Sequence, residues 1–119
     1  MMKPSPFEID VLHAILDPQR EKYPLLHAQI PYLIVSKREL TGVGGYTYFR
    51  FDPASEPPEP ESSIDLVLTA NKMAEMDSPP SGLGFALDVT EGKINFLEFV
   101  TYGEEQWDGN VDRYQLVDI

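Results

Sequence analysis

Residues 83–102 read LGFALDVTEGKINFLEFVTY, and this stretch decides the fold class. Its first half alternates apolar residues with small or polar ones, the apolar ones being Leu83, Phe85, Leu87 and Val89. Alternation with a period of two predicts a strand that buries one face. Glu91-Gly92 predicts a tight hairpin turn into residues 93–102. That second strand is apolar on both faces, which predicts a position in the middle of the sheet. Glu98 is expected on the same face as Ile94 and Phe96.

Other strand patterns lie on both sides of this hairpin. Residues 46–51 (YTYFRF) predict a strand with Thr47, Phe49 and Phe51 on its buried face. Weaker patterns lie at residues 32–40, 64–69 and 112–119, the last as an edge strand. Residues 42–45 (GVGG) predict a turn, and residues 71–81 predict a loop with one helical turn around Met73 and Met76.

Helices are predicted only near the start of the chain. Ser5-Pro6-Phe7-Glu8 has the residues of a capping box with proline at the first helical position. An apolar stripe at helical spacing follows, and Asp17-Pro18 should end the helix because the residue before proline avoids the helical region. A shorter helical segment is expected over residues 25–30.

Helices followed by strands predict an α+β fold, with both helices packed on a five- to six-stranded, mainly antiparallel, curved sheet. A half-open β-barrel is the alternative. The length of 119 residues suits one domain, residues 1–119. Residues 52–63 (DPASEPPEPESS) hold four prolines and four acidic residues, which predicts a mobile acidic loop within that domain.

Charge restricts the partners. The net charge is -11, and it is uneven. Residues 1–50 hold six basic and five acidic side chains, whereas residues 51–119 hold three basic and fifteen acidic ones. Such a surface repels phosphate, so we expect no nucleic-acid partner and no anionic membrane, whereas a basic protein would be attracted. Solubility alone is the simpler explanation of the charge.

The sequence lacks the residues that several kinds of functional site require. The chain has no cysteine, which excludes disulfides, thiol nucleophiles and cysteine-bound zinc. No long apolar stretch and no signal-peptide pattern is visible, so the expected location is the cytoplasm. No nucleophile motif or phosphate-binding fingerprint is present. Whether the protein is an enzyme is therefore uncertain, and a non-enzymatic role is the preferred hypothesis. No cofactor is predicted.

The two histidines, His13 and His27, could bind a metal together with a carboxylate. Their spacing gives no reason to expect them side by side, so each is expected to be an isolated, hydrogen-bonded or solvent-facing residue. No metal site is therefore predicted.

One candidate binding segment surrounds the only tryptophan. Its residues are a tyrosine, the tryptophan and three acids: Tyr102, Glu104, Glu105, Trp107 and Asp108. Acid-flanked aromatic side chains suit recognition of a cationic group or a basic protein surface. The alternative is that Trp107 anchors the loop on its own core.

Glu98 defines a second candidate site. It lies on the predicted central strand, where burial would raise its pKa or require a partner. Tyr46 and Tyr48 on a neighbouring strand are possible partners, which suggests a pocket between strands 46–51 and 94–102 for a small ligand. A structural ion pair, or a bend that leaves Glu98 in water, is the ordinary alternative.

Two segments resemble small bacterial proteins of unassigned function. One is Ser36–Gly44 (SKRELTGVG) with the aromatic strand through Phe49. The other runs from Gly84 to Trp107 and includes Leu97-Glu98 and Thr101-Tyr102-Gly103. The resemblance implies a bacterial, cytoplasmic, single-domain protein and transfers no catalytic residue. Relative to that pattern, residues 52–63 look like an insertion.

The sequence therefore leads to two functional hypotheses. The first is an acidic protein-interaction module that binds a basic partner, as immunity proteins and inhibitors do. The second is a small-ligand binding domain with a pocket around Tyr46, Tyr48 and Glu98. The edge strands at 32–40 and 112–119 allow a monomer or a weak homodimer.

Overall fold

The computed structural model describes residues 2–119, in which two helices pack on one face of an open, seven-stranded antiparallel sheet. This confirms the α+β class and excludes the half-open barrel. The helices are α1 (Pro6–Leu16) and α2 (Pro24–Gln29). The strands are β1 (Leu33–Leu40), β2 (Gly44–Phe51), β3 (Leu66–Thr69), β4 (Lys72–Met76), β5 (Leu83–Thr90), β6 (Lys93–Thr101) and β7 (Tyr114–Asp118).

The start of α1 has the predicted capping box. The Glu8 amide donates to Ser5 Oγ over 3.1 Å, and the Ser5 amide donates to Glu8 Oε1 over 2.8 Å. These two bonds satisfy amide groups that a helix start otherwise leaves free. α1 ends at Leu16, directly before Asp17-Pro18, but the predicted reason is wrong: Asp17 has helical dihedral angles, φ -59° and ψ -45°, and the chain continues into a 3₁₀ turn over Asp17–Gln19.

The strand order is β1-β2-β6-β5-β4-β7, with β3 also paired to β5. The predicted hairpin joins β5 to β6, and Glu91 and Gly92 both have positive φ, 53° and 74°. A Cβ at Gly92 would lie 2.2 Å from the Ser62 carbonyl oxygen, so this turn needs glycine for space as well as for conformation. β6 lies in the interior of the sheet, as predicted.

A seventh strand lies where the sequence predicts a loop. Residues 72–76 (KMAEM) form β4, which pairs along its whole length with β7 and touches β5 at Ala74. The helical turn expected around Met73 and Met76 is therefore wrong. The composition of this segment favours helix, but pairing with β7 and burial of Ala74 override that local preference.

The predicted faces of β6 also need correction. Val89 pairs with Ile94, but Asp88 pairs with Phe96, so the register shifts by one residue at Asn95. This bulge turns Ile94 to the buried face with Leu97 and leaves Glu98 on the opposite, partly exposed face. β6 is therefore buried on one face, not on both.

The core lies between the helices and the inner face of the sheet. Leu12 and Leu16 of α1, Leu26 of α2 and Leu97 of β6 are fully buried. The Phe7 ring packs on Phe99 at 5.5 Å and on Tyr114 at 4.9 Å between ring centroids. One aromatic side chain of the first helix thus joins the middle of the sheet to its last strand.

Gln29, at the end of α2, is fully buried and binds the β5–β6 turn. Its Nε2 donates to the Gly92 carbonyl over 2.9 Å, and its Oε1 accepts from the Ile94 amide over 2.9 Å. At the start of the same helix, the Leu25 amide donates to the Glu61 carboxylate over 2.6 Å. The end of the acidic segment 52–63 and the hairpin turn are therefore both attached to α2.

Among the described residues, neither helix has the length and hydropathy needed to cross a bilayer.

Candidate functional site

The outer face of the sheet, opposite the helices, carries a cluster of aromatic rings. Tyr46 and Tyr48 from β2 stack at 5.9 Å, and both lie against Phe96 from β6 at 5.5 and 5.4 Å. Strand alternation explains why the two tyrosines share this face, because the alternate residues Thr47 and Phe49 point into the core. We call Tyr46, Tyr48, Phe96 and Glu98 the aromatic face.

Carboxylates surround these rings. The Tyr46 hydroxyl donates to Glu98 Oε2 over 2.9 Å, and this bond raises the pKa of Tyr46 above its ordinary range. Desolvation raises the pKa of Tyr48, and the neighbouring Glu39 carboxylate adds to the effect. Both tyrosines therefore remain neutral hydrogen-bond donors at neutral pH.

A cation already lies on this surface. Lys37 Nζ is 4.9 Å from the centroid of the Tyr48 ring and 3.5 Å from Glu39 Oε1. An ammonium group over an aromatic ring beside a carboxylate is a favourable arrangement for positive charge. The chain's own Lys37 thus occupies the cation position over the Tyr48 ring.

The aromatic face continues towards the loop after β6. Val100 is 47% exposed and Tyr102 is 53% exposed. The Tyr102 hydroxyl lies 3.1 Å from where a Cβ of residue 84 would stand, so Gly84 makes room for this ring across β5. Tyr102 therefore extends the apolar surface from β6 to β5.

The predicted binding loop is held firmly. The Trp107 ring is buried against Phe99 at 5.7 Å, and its Nε1 donates to the Asn110 carbonyl over 3.1 Å. Trp107 thus anchors the loop on the core, the alternative given above. Glu105 accepts from the Ser81 amide over 3.1 Å, whereas Glu104 is exposed. Asp108 is also exposed and accepts from the Asn110 amide over 2.9 Å.

Tyr46, Tyr48 and Glu98 do come together, but as a surface. β2 and β6 are hydrogen-bonded neighbours, with Tyr46 opposite Glu98 and Tyr48 opposite Phe96. Paired strands lie about 4.8 Å apart, which leaves no room for a ligand between them. Glu98 is partly exposed beside a tyrosine, so the bulge at Asn95 places it in contact with water.

A cavity of about 380 Å³ lies elsewhere, at the start of α1. We call it the N-terminal cleft. Its lining residues are both aromatic and charged and include Phe7, Glu8, Arg38, Phe99, Trp107 and Asp112. Trp107, from one sequence-predicted site, therefore lines this cleft, whereas the Tyr46 ring belongs to the aromatic face.

An ion pair between buried Glu8 and partly exposed Arg38 lines the cleft. Glu8 is 4% exposed and accepts hydrogen bonds from Arg38 Nη2 at 2.7 Å, Arg38 Nε at 2.9 Å and Thr47 Oγ1 at 2.6 Å. Burial alone would raise the pKa of Glu8, but the bonds from Arg38, Thr47 and Ser5 outweigh burial and lower it. The sequence showed Glu8 only as a helix-capping residue, since its partner Arg38 lies on β1.

The two histidines are side by side, contrary to the expectation from their spacing. His13 and His27 both contact Asp17, and their rings are 5.6 Å apart. The turn between α1 and α2 brings them together, and no local pattern in the sequence reports that turn angle.

Comparison with known proteins gives no family model, curated protein or solved structure that matches this chain.

Proposed function

We propose that this protein is a non-enzymatic interaction module that binds a basic partner protein through the aromatic face and the adjoining acidic loop. Immunity proteins and protein inhibitors act in this general way. The observation that most supports this proposal is the cluster of Tyr46, Tyr48 and Phe96 on the helix-free face of the sheet. Partly exposed tyrosines grouped at the centre of a face are typical of binding hot spots.

The carboxylates around the aromatic face favour a basic protein as the partner. Glu39 and Glu98 border the rings, and Glu104 lies in the loop that follows Tyr102. A second copy of the chain would bring another net charge of -11 to this surface, which disfavours self-association. A basic protein would meet complementary potential and associate faster at low salt.

The position of Lys37 indicates how such a partner would bind. A lysine or arginine of the partner would take the place of Lys37 over Tyr48, next to Glu39. The guanidinium of arginine also stacks on aromatic rings and binds carboxylates through two hydrogen bonds. A partner with arginine at its interface therefore fits this surface.

Affinity capture from the host lysate tests this proposal. We expect wild type to retain a basic protein at low salt and to lose it at high salt. The double variant Glu104→Lys, Glu105→Lys and the variant Tyr48→Ala should each bind that protein at least about tenfold more weakly. Titration of the purified partner against each variant measures the loss.

The acidic segment 52–63 provides the matched control. Glu56→Lys with Glu59→Lys makes the same change in net charge at exposed positions of that segment. This control should bind the partner with less than about a threefold change, because only long-range attraction is altered. Equal losses in the two double variants, or retention by Tyr48→Ala, would contradict the proposed surface.

The N-terminal cleft supports a second candidate function, binding of a small ligand. Its volume of about 380 Å³ is within the range of ligand pockets. Trp107 and Phe99 supply apolar lining, Arg38 is paired with Glu8, and Asp112 adds a further negative charge. A ligand with a flat apolar body and a cationic group would fit this lining.

Trp107 is the only tryptophan, so its fluorescence reports on the cleft directly. We expect phenethylamine to change the emission saturably and phenylacetate, its anionic counterpart, to have no effect. Asp112→Asn should weaken binding of the amine several-fold, whereas Glu75→Gln on β4 should not. An equal response to both compounds would argue against a charge-selective site in this cleft.

A further inference from the structure

Two helices and the turn between them bring three potential metal ligands to one point. His13 lies in the last turn of α1, and Asp17 follows one helical turn later, on the same face of the helix. His27 lies near the end of α2. The three donor atoms all lie within 4.8 Å of one another.

The donor atoms converge on a single oxygen. His13 Nδ1 is 2.9 Å from Asp17 Oδ1, and His27 Nε2 is 2.7 Å from that same oxygen. A tetrahedral zinc ion with bonds of about 2.0 to 2.1 Å needs donors about 3.3 Å apart. The two separations to Asp17 Oδ1 are each about half an ångström short of this value, and the separation between the two histidine nitrogens, which is at most 4.8 Å, has to close when an ion binds.

These side chains have the freedom to make that adjustment. Asp17 is 55% exposed, His13 is 43% exposed and His27 is 23% exposed. The exposure also lets an ion reach them from solvent. A fully buried trio would need an opening of the fold before any metal could enter.

We propose that His13, Asp17 and His27 form a divalent-metal site that prefers Zn²⁺. Two imidazoles and one carboxylate are the ligand set of zinc sites that keep a coordination position for water or another ligand. The remaining positions would face the adjacent groove of about 500 Å³, which Asp10, Lys72 and Tyr114 also line. Lys72 is bound to Asp118 at 2.7 Å, so its charge is partly compensated.

The bound ion would link α1 to α2. Without metal, hydrogen bonds to Asp17 hold the two histidines, and the bond from His13 lowers the pKa of Asp17. An ion would replace these hydrogen bonds by coordinate bonds from the same atoms. Because metal would bind only the folded arrangement, it would raise the thermal unfolding midpoint.

Calorimetric titration with Zn²⁺ tests the site. Wild type should bind one equivalent, and His13→Gln, His27→Gln and Asp17→Asn should each weaken binding at least about tenfold. Glu21→Gln, which removes an exposed carboxylate nearby in the chain, should bind as wild type does. Unchanged zinc affinity in His27→Gln would overturn the proposal.

Histidine NMR signals give an independent measurement. His13 and His27 are the only histidines, so their ring resonances need little assignment. One equivalent of Zn²⁺ should shift both sets of ring signals together and raise the unfolding midpoint of wild type but not of His27→Gln. Zinc binding that leaves the ring signals unchanged would place the ion elsewhere and overturn the proposal.

Discussion

Gln29→Leu should lower the free energy of unfolding by about 3 kcal/mol, because it removes the side chain that joins α2 to the β5–β6 turn. Leucine has a similar size but cannot accept from the Ile94 amide, which would be left buried without this partner. The Gly92 carbonyl would keep its bond from the Glu61 amide at 2.9 Å. Most of the cost therefore comes from the Ile94 amide.

Urea denaturation measures this loss, and Gln115→Leu is its control. Gln115 is exposed on β7, so the same change there should alter stability by less than about 0.5 kcal/mol. A Gln29→Leu protein as stable as the control would mean that the turn finds other hydrogen-bond partners, and that Gln29 is not needed to fix it.

Arg38→Met is the second substitution with a large expected effect, a loss of about 2 kcal/mol at neutral pH. It removes the counter-charge of a carboxylate that is 4% exposed, while the methionine keeps most of the side-chain volume. The Arg38 side chain is 41% exposed, and Thr47 and Ser5 continue to donate to Glu8, so the loss stays below that of a fully buried ion pair.

This loss should depend on pH. In wild type the pKa of Glu8 is lowered in the folded state, so its stabilising contribution is present above the ordinary value of 4.5 and disappears as the pH falls through the folded pKa. In Arg38→Met the buried carboxylate is the source of the penalty, and protonation removes that penalty. The stabilities of the two proteins should therefore converge as the pH falls below 4.5 and through the lowered folded pKa of Glu8.

Lys37→Met is the matched control. Lys37 and its partner Glu39 are 59% and 49% exposed, so water screens their attraction. We expect a stability change below about 0.5 kcal/mol with little dependence on pH. A constant difference between Arg38→Met and wild type across the acidic range would show that lost packing, not the charge of Glu8, causes the effect.

Local patterns predicted much of the fold. The capping box and the Glu91-Gly92 turn each depend on a few adjacent residues, and the structure confirms both. The α-helix also ends before Asp17-Pro18, although Asp17 itself stays helical. β4 was not predictable in this way, since its strand conformation depends on β7, which lies far along the chain. The bulge at Asn95 interrupts a regular alternation that gives no sign of it.

The candidate sites depend even more on distant pairs. Tyr46 and Glu98 were recognised as possible partners because both lie on predicted strands of one sheet. The contact of Glu8 with Arg38 is set by how α1 crosses the sheet, and that of His13 with His27 by the turn between α1 and α2. Sequence spacing within one element cannot report such an angle.

The Phe7 ring packs on both Phe99 and Tyr114, and these two contacts affect how the protein unfolds. An edge strand usually frays independently of the domain interior. Here, detachment of β7 would break the contact of Tyr114 with Phe7 and its hydrogen bond to Asp10. It would also expose the start of α1 to solvent. Loss of the last strand and loosening of the first helix are therefore one event, and the molecule should unfold in a single cooperative transition.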